Sequence, residues 1–198
     1  MSLTSSPTTA NPAVRIIAGE ELPAAGSYAL DASHSQVGFA VRHLMVSKTR
    51  GRFSDFAGTV EIGENPLESS VAVTIQTASI DTRDEQRDGH LRSGDFFDAE
   101  AWPTMAYQSR AVRQVGEGRY VVEGDLTIKG VTRPVPLELS FEGGAADPWG
   151  GVRIGFSAKA ELDREAFGLT WNQALETGGV LVGKKVSIEI EAEAVKQS

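Results

Sequence analysis

"YVVEGDLTIKGVTRPVPLELSFEGG", residues 120–144, decides the fold class. Apolar and polar residues alternate on both sides of Lys129-Gly130, a dipeptide suited to a tight turn. The stretch therefore reads as two strands of a hairpin. On the second strand Val135, Leu137, Leu139 and Phe141 share one face, opposite Pro136, Glu138, Ser140 and Glu142. Pro134 and Pro136 lack N–H groups, but two residues apart their gaps fall on the same side of the strand. That predicts a strand that is partly an edge or carries a bulge.

The same period of two runs outward in both directions. In "SQVGFAVRHL" (35–44) Val37, Phe39 and Val41 share a face, and in "ESSVAVTIQTASI" (68–80) Val71, Val73 and Ile75 do. "GVRIGFSAKAELD" (151–163) aligns Val152, Ile154, Phe156, Ala158, Ala160 and Leu162, and "KKVSIEIEAEAVK" (184–196) aligns Val186, Ile188 and Ile190.

One segment departs from this pattern. "RDEQRDGHLRSGDFFDAEAWPT" (83–104) opens with charges and closes on aromatics. Thr82 with Glu85 fits a capping box, Arg92 suits the negative end of the helix dipole and Gly94 is placed to end the helix. Leu91 is the one large apolar residue of helix 83–93, and Gly89 weakens the helix by about 1 kcal/mol. Such a helix has no core face of its own, so Phe96, Phe97 and Trp102 are expected to hold it. Long alternating strands with one inserted helix predict a mainly β protein: a closed antiparallel barrel of about eight strands, the helix capping one mouth.

The 198 residues suffice for one domain, and residues 1–26, rich in Ser, Thr, Pro and Ala, read as a flexible tail before a domain over 27–198. A net charge of −8 argues against nucleic acid, and the absence of cysteine excludes disulfides and thiol chemistry. The N-terminus has no basic start followed by an apolar core, so a cytoplasmic location is expected, and no stretch is long and apolar enough to span a membrane.

Five stretches resemble the YceI-like family in that family's order: "YALDASHSQVGFAVRHL" (28–44), "GRFSDFAGTV" (51–60), "RDGHLRSGDFFDAEAWPTMAYQS" (87–109), "GDLTIKGVTRPVPL" (124–137) and "LDREAFGL" (162–169). The resemblance implies an extended lipocalin-like barrel with its helix in this position. It implies a long amphipathic ligand in the lumen, such as a prenyl quinone, a polyprenyl phosphate or a fatty-acid derivative. It also implies that homodimers are common. Many members carry a signal peptide, a feature not seen here.

Alternation shows which residues share a face, not which face is interior. Phe39, Val41, Val73, Ile75, Leu137, Leu139, Ile154 and Phe156 are assigned to the lumen, because their neighbours on the strand are more polar. A packed core of the same residues is the competing reading, and the resemblance favours the lumen. Leu91, Phe96 and Phe97 are assigned to a gate, with an ordinary core plug as the alternative. Arg83, Arg87 and Arg92 are candidate head-group contacts, although such arginines more often pair with nearby Asp84, Asp88 or Asp95. His34, His43 and His90 lack the spacing of a metal site, and His34 in "DASHS" is expected in a turn. "GGVLVGKK" (178–185) places Lys185 where a P-loop needs Ser or Thr and is followed by a strand-like pattern, so it is rejected. No G-x-S-x-G occurs.

No catalytic residue, metal or cofactor is assigned. The leading expectation is non-enzymatic lipid binding. Its rivals are an isomerase-type enzyme working in the lumen, with His34 or a carboxylate moving the proton, and an interaction module with a solid barrel.

Overall fold

Residues 26–196 build the barrel expected from the alternation, in a computed structural model that describes residues 11–44, 46–176 and 178–198. The strands are β1 (Val14–Ile17), β2 (Glu20–Pro23), β3 (Gly26–Leu30), β4 (Gln36–His43), β5 (Ser47–Phe53), β6 (Phe56–Ile62) and β7 (Ser70–Gln76). They continue with β8 (Ile80–Asp81), β9 (Thr104–Gly116), β10 (Arg119–Ile128), β11 (Val131–Pro134), β12 (Leu137–Ala146), β13 (Val152–Asp163) and β14 (Val182–Lys196). Among the described residues one α-helix, α1 (Glu85–Arg92), lies between β8 and β9.

Eight strands close a ring in the order β3, β6, β7, β9, β10, β12, β13, β14 and back to β3, every pairing antiparallel. β14 carries the closure. One edge pairs with β13 from Lys185 to Val195; the other pairs first with β4 and then, over its last residues, with β3. β3 and β4 thus follow one bent path, broken at residues 31–35. β5 lines up on β4 and β8 on β5, so the wall extends past the ring on one side.

The deciding hairpin forms as read. Ile128 faces Val131, and Lys129 and Gly130 both take positive φ (51° and 73°), as a type I′ turn requires. β11 and β12 both pair with β10 in one unbroken register, with the Val135 N–H donating to the Gly124 carbonyl. The N positions of Pro134 and Pro136 therefore face away from β10. On that side pairing with β13 begins only at Glu138, so this stretch is an edge and the prolines cost no ladder bond.

Gly124 is required by packing. A Cβ there would run into the Tyr107 ring, whose Oη lies 3.1 Å from both the Val122 and Val135 carbonyls. Gly124→Ala is expected to cost about 1–3 kcal/mol by forcing that ring aside. The urea midpoint would show it.

Two expectations are corrected. The helix is not opened by a Thr82–Glu85 capping box: Asp84 is its N-cap, its carboxylate accepting from the Arg87 N–H. Thr82 is buried, and both its N–H and hydroxyl donate to the buried Asp88 carboxylate. Ser93 rather than Gly94 closes the helix, its N–H donating to the His90 carbonyl. The tail is the second correction. Residues 14–23 form a hairpin of β1 and β2, with Ala13 and Leu22 buried against the barrel. Period-two alternation over four residues was too short to stand out. Residues 1–10 lie outside the described residues.

Candidate functional site

The inward faces of the ring enclose an elongated cavity of about 290 Å³. Seven of the eight residues assigned to the lumen from sequence line it: Phe39, Val41, Val73, Ile75, Leu137, Leu139 and Phe156. Ile154 does not. It is 1% exposed and packs with Ala13, Tyr28, Val60, Ile62 and Ala194 in a second cluster that forms a floor below the cavity. The same face of β13 thus begins in the floor and ends in the lumen wall, a division alternation cannot express.

Along β14 the lining runs from Val182 to Ala192. Ten residue steps at about 3.3 Å give about 33 Å of strand, or about 25 Å of depth at the usual barrel tilt. Apart from the phenols of Tyr107 and Tyr120, the polar lining residues sit at the ends: Ser35, Ser69, Ser70 and Glu191 towards the floor, Arg164 at the helix side.

At the helix side Leu91, Phe96 and Phe97 all reach the cavity. Phe97 meets Phe53 edge-on, with ring centroids 5.8 Å apart, and Phe96 is tilted against Trp171 at 5.3 Å. His90 stands edge-on to both Trp171 and Phe96 and shares a hydrogen bond with Asp95. Trp102 lies half out in solvent across Gly130 and takes no part in the lining. Lys129 ties this segment to the hairpin turn by donating to the Gly94 and Phe96 carbonyls.

None of the three candidate head-group arginines lines the cavity. Arg87 donates to the Thr82 hydroxyl and carbonyl, Arg92 to the Ala78 and Ile80 carbonyls, and exposed Arg83 bonds Asp81 through its own N–H. Arg87 and Arg92 fasten α1 to residues 78–82 before it, which is how a helix with no apolar face is held. The cation at the lumen is instead Arg164, 4% exposed, in the turn after β13. Its guanidinium donates to the carbonyls of Leu169, Trp171, Val182 and Gly183. Burial holds its pKa below the usual guanidinium range. "LDREAF" (162–167) does carry a signal, an arginine between alternating strand and turn, but its partners are backbone groups that sequence does not name.

The phenols of Tyr107 and Tyr120, both lining residues, are raised above their ordinary pKa by burial first and by nearby carboxylates second. Both stay protonated near neutral pH.

His34 lies outside the lumen, in the turn expected for it, bonded to Asp31 and Ser33. Asp31, His34 and Glu193 come close enough to suggest a metal, but the cation among them is the Arg153 guanidinium, which also binds Asp147. Hydrogen bonds from Ser33, then Arg153 and His34, hold the Asp31 carboxyl well below its usual range. A depressed carboxyl contributes stability while ionised, above its unfolded pKa of about 4, and the contribution fades as pH falls below that. Urea midpoints should therefore fall on acidification below about pH 4, and Asp31→Asn should flatten that fall.

Residues 28–194 match the YceI-like domain. The chain belongs to the YceI-like family. A UPF0312 protein of Staphylococcus aureus (strain N315) is 38% identical over 169 residues, covering 84% of this chain and 96% of the relative. One from Photorhabdus laumondii is 44% identical over 146 residues, covering 72% and 76%. Among solved structures, BcnA of Burkholderia cenocepacia superposes with a TM-score of 0.73 at 25% identity, covering 83% of this chain and 98% of that one. A polyisoprenoid binding domain from Saccharophagus degradans shares the fold with a TM-score of 0.67 at 16% identity, covering 86% and 98%. The YceI-like match starts two residues into β3, so the β1–β2 hairpin lies outside it.

Proposed function

We propose that this YceI-like protein binds, stores or carries a long-chain amphipathic lipid, of the isoprenoid type, in the barrel lumen without catalysing a reaction on it. The observation that carries this reading is a lumen about 25 Å deep whose wall between its two ends is built from Val, Ile, Leu, Phe and other apolar residues. Each buried CH₂ contributes about 0.8 kcal/mol, so a dozen carbons contribute about 10 kcal/mol before ordering costs. A prenyl quinone or a polyprenyl phosphate has the required chain, with its head group at the helix-side mouth among Trp171, His90 and Asp95. That the same barrel serves a polyisoprenoid binding domain in Saccharophagus degradans agrees with this. An open lumen weighs against a solid interaction module, and the place of His34 outside the lumen weighs against its moving a proton there. A cytoplasmic site of action and a homodimer belong to the same reading; cell fractionation and sedimentation test them.

Native mass spectrometry of freshly purified protein, followed by extraction, tests the proposal. A discrete long-chain lipid at near-equal stoichiometry is expected. Protein that stays empty after incubation with prenyl quinones and fatty acids would sink it. Phe97 closes the helix side against Phe53, so Phe97→Ala is expected to speed lipid release about tenfold, the equivalent of about 1.4 kcal/mol of lost contact. Unchanged release would remove the gate from the reading while leaving the lumen in it.

A further inference from the structure

We infer that the N-terminal hairpin is a stop that sets how long a lipid chain the lumen accepts, an inference that rests on the lipid-binding reading above. The eight-stranded ring is complete from Gly26 onward, and the YceI-like match begins at Tyr28, so the hairpin is an addition to a finished barrel. It lies across the floor end. Three ties anchor it, each to a different part of the rim. Arg15 donates to the Glu64 carboxylate (2.8 Å) and the Gly63 carbonyl, in the turn after β6. The Glu20 carboxylate accepts from Gln114 Nε2 (2.8 Å) and from the Gly118 N–H (2.6 Å), at the β9–β10 turn. Asn11 Nδ2 donates to the Gly144 carbonyl (2.7 Å) on β12. Three anchors on separate parts of the rim make the hairpin cross the opening rather than run along one edge.

What it presents inward is apolar. Pro23 lines the lumen, Leu22 is buried, and Ala13 is fully buried in the floor cluster beside Ile154 and Tyr28. A Cβ on Gly144 would stand 2.8 Å from the Ala13 Cβ, so the glycine is what lets Ala13 seat. Tyr28 locks the exit of the hairpin by donating from its hydroxyl to the Ala24 carbonyl (2.8 Å). A chain entering past Phe97 therefore meets a floor shared by barrel and hairpin, and carbons beyond that depth stay outside.

The test is a displacement assay with isoprenoid alcohols of stepwise increasing length, on the full chain. Each methylene that fits adds up to about fourfold in affinity, and each that does not fit adds nothing. Affinity in the unmodified protein should rise with length and then level off. Arg15→Ala combined with Glu20→Ala releases two of the three ties, and should move the levelling-off to longer chains while leaving short-chain affinity as it was. Ile154→Ala deepens the floor from the barrel side, with the rim ties of the hairpin intact, and should move it in the same direction. Affinity that keeps rising with length in the unmodified protein overturns the stop. So does a levelling-off in the Arg15→Ala, Glu20→Ala protein at the same length as in the unmodified one, and in both cases the lumen reading stands. If no alcohol of any length binds, both readings fall together.

Discussion

Ile188→Trp is expected to lower lipid affinity by at least about a hundredfold while the barrel still folds. Ile188 lies near the middle of the β14 lining, facing Phe39 on β4 and Ala160 on β13. An indole there occupies the lumen at mid-depth, and the half towards the floor is lost to the ligand. Excluding even four or five carbons forfeits about 3–4 kcal/mol, which is a factor of a few hundred. The substitution has its own cost: an indole N–H without a partner costs about 1–3 kcal/mol, tolerable for a domain of this size. Displacement of a bound reporter lipid measures the affinity, and the far-ultraviolet circular dichroism shows whether the strands persist. Affinity within threefold of the parent, in a protein that is still folded, would mean the lipid does not pass through the middle of the barrel.

Arg164→Met is expected to destabilise the protein by about 3–5 kcal/mol, the largest loss from any single side chain described. One guanidinium, in the turn after β13, joins the loop that follows it, at Leu169 and Trp171, to the start of β14, at Val182 and Gly183. Removing it leaves the carbonyls of Leu169, Trp171 and Gly183 without this donor, at about 1–3 kcal/mol each where water cannot reach, while the Val182 carbonyl keeps the Asn172 side-chain amide. Relief from burying a charge offsets part of this, which keeps the total below the simple sum. For a chain of this length the loss corresponds to roughly 10 °C or more in Tm. Arg164→Lys should restore less than half, because an ammonium has three donors and no planar fork. Leu169 and Val182 both line the lumen, so lipid release from Arg164→Met should also quicken. A urea midpoint unchanged within error would show that the loop over 169–183 holds itself.

Much of this was open to reading from sequence. A period of two, sustained in five stretches, placed the strands and told which residues travel together, because side chains on a strand must alternate. The Lys129-Gly130 turn and the prolines of its second strand were legible for the same local reason: their φ angles and missing donors are properties of the residues themselves. The inserted helix was found by its contrast with the rest, and Leu91, Phe96 and Phe97 do reach the lumen. Local chemistry does not single out the capping residue, because Thr82 and Asp84 both qualify. Burial decided between them, drawing Thr82 into the Asp88 network.

What sequence alone determined is a closed antiparallel barrel with one polar helix tipped by aromatics, since periodicity, turn chemistry and propensity are local and survive without partners. Where the lumen stops was decided only by the tertiary structure. Ile154 and Phe156 are equivalent in alternation, yet Tyr28 and Ala13 close over Ile154 and leave Phe156 open to the cavity. The same holds for the arginines. Arg83, Arg87 and Arg92 look available in sequence, but carbonyls or polar neighbours of residues 78–84 take up Arg87 and Arg92. Arg164 becomes the buried cation because carbonyls from two segments, the loop at Leu169 and Trp171 and the start of β14 at Val182 and Gly183, converge on it. Convergence of that kind depends on how strands close into a ring, and a linear pattern does not contain it.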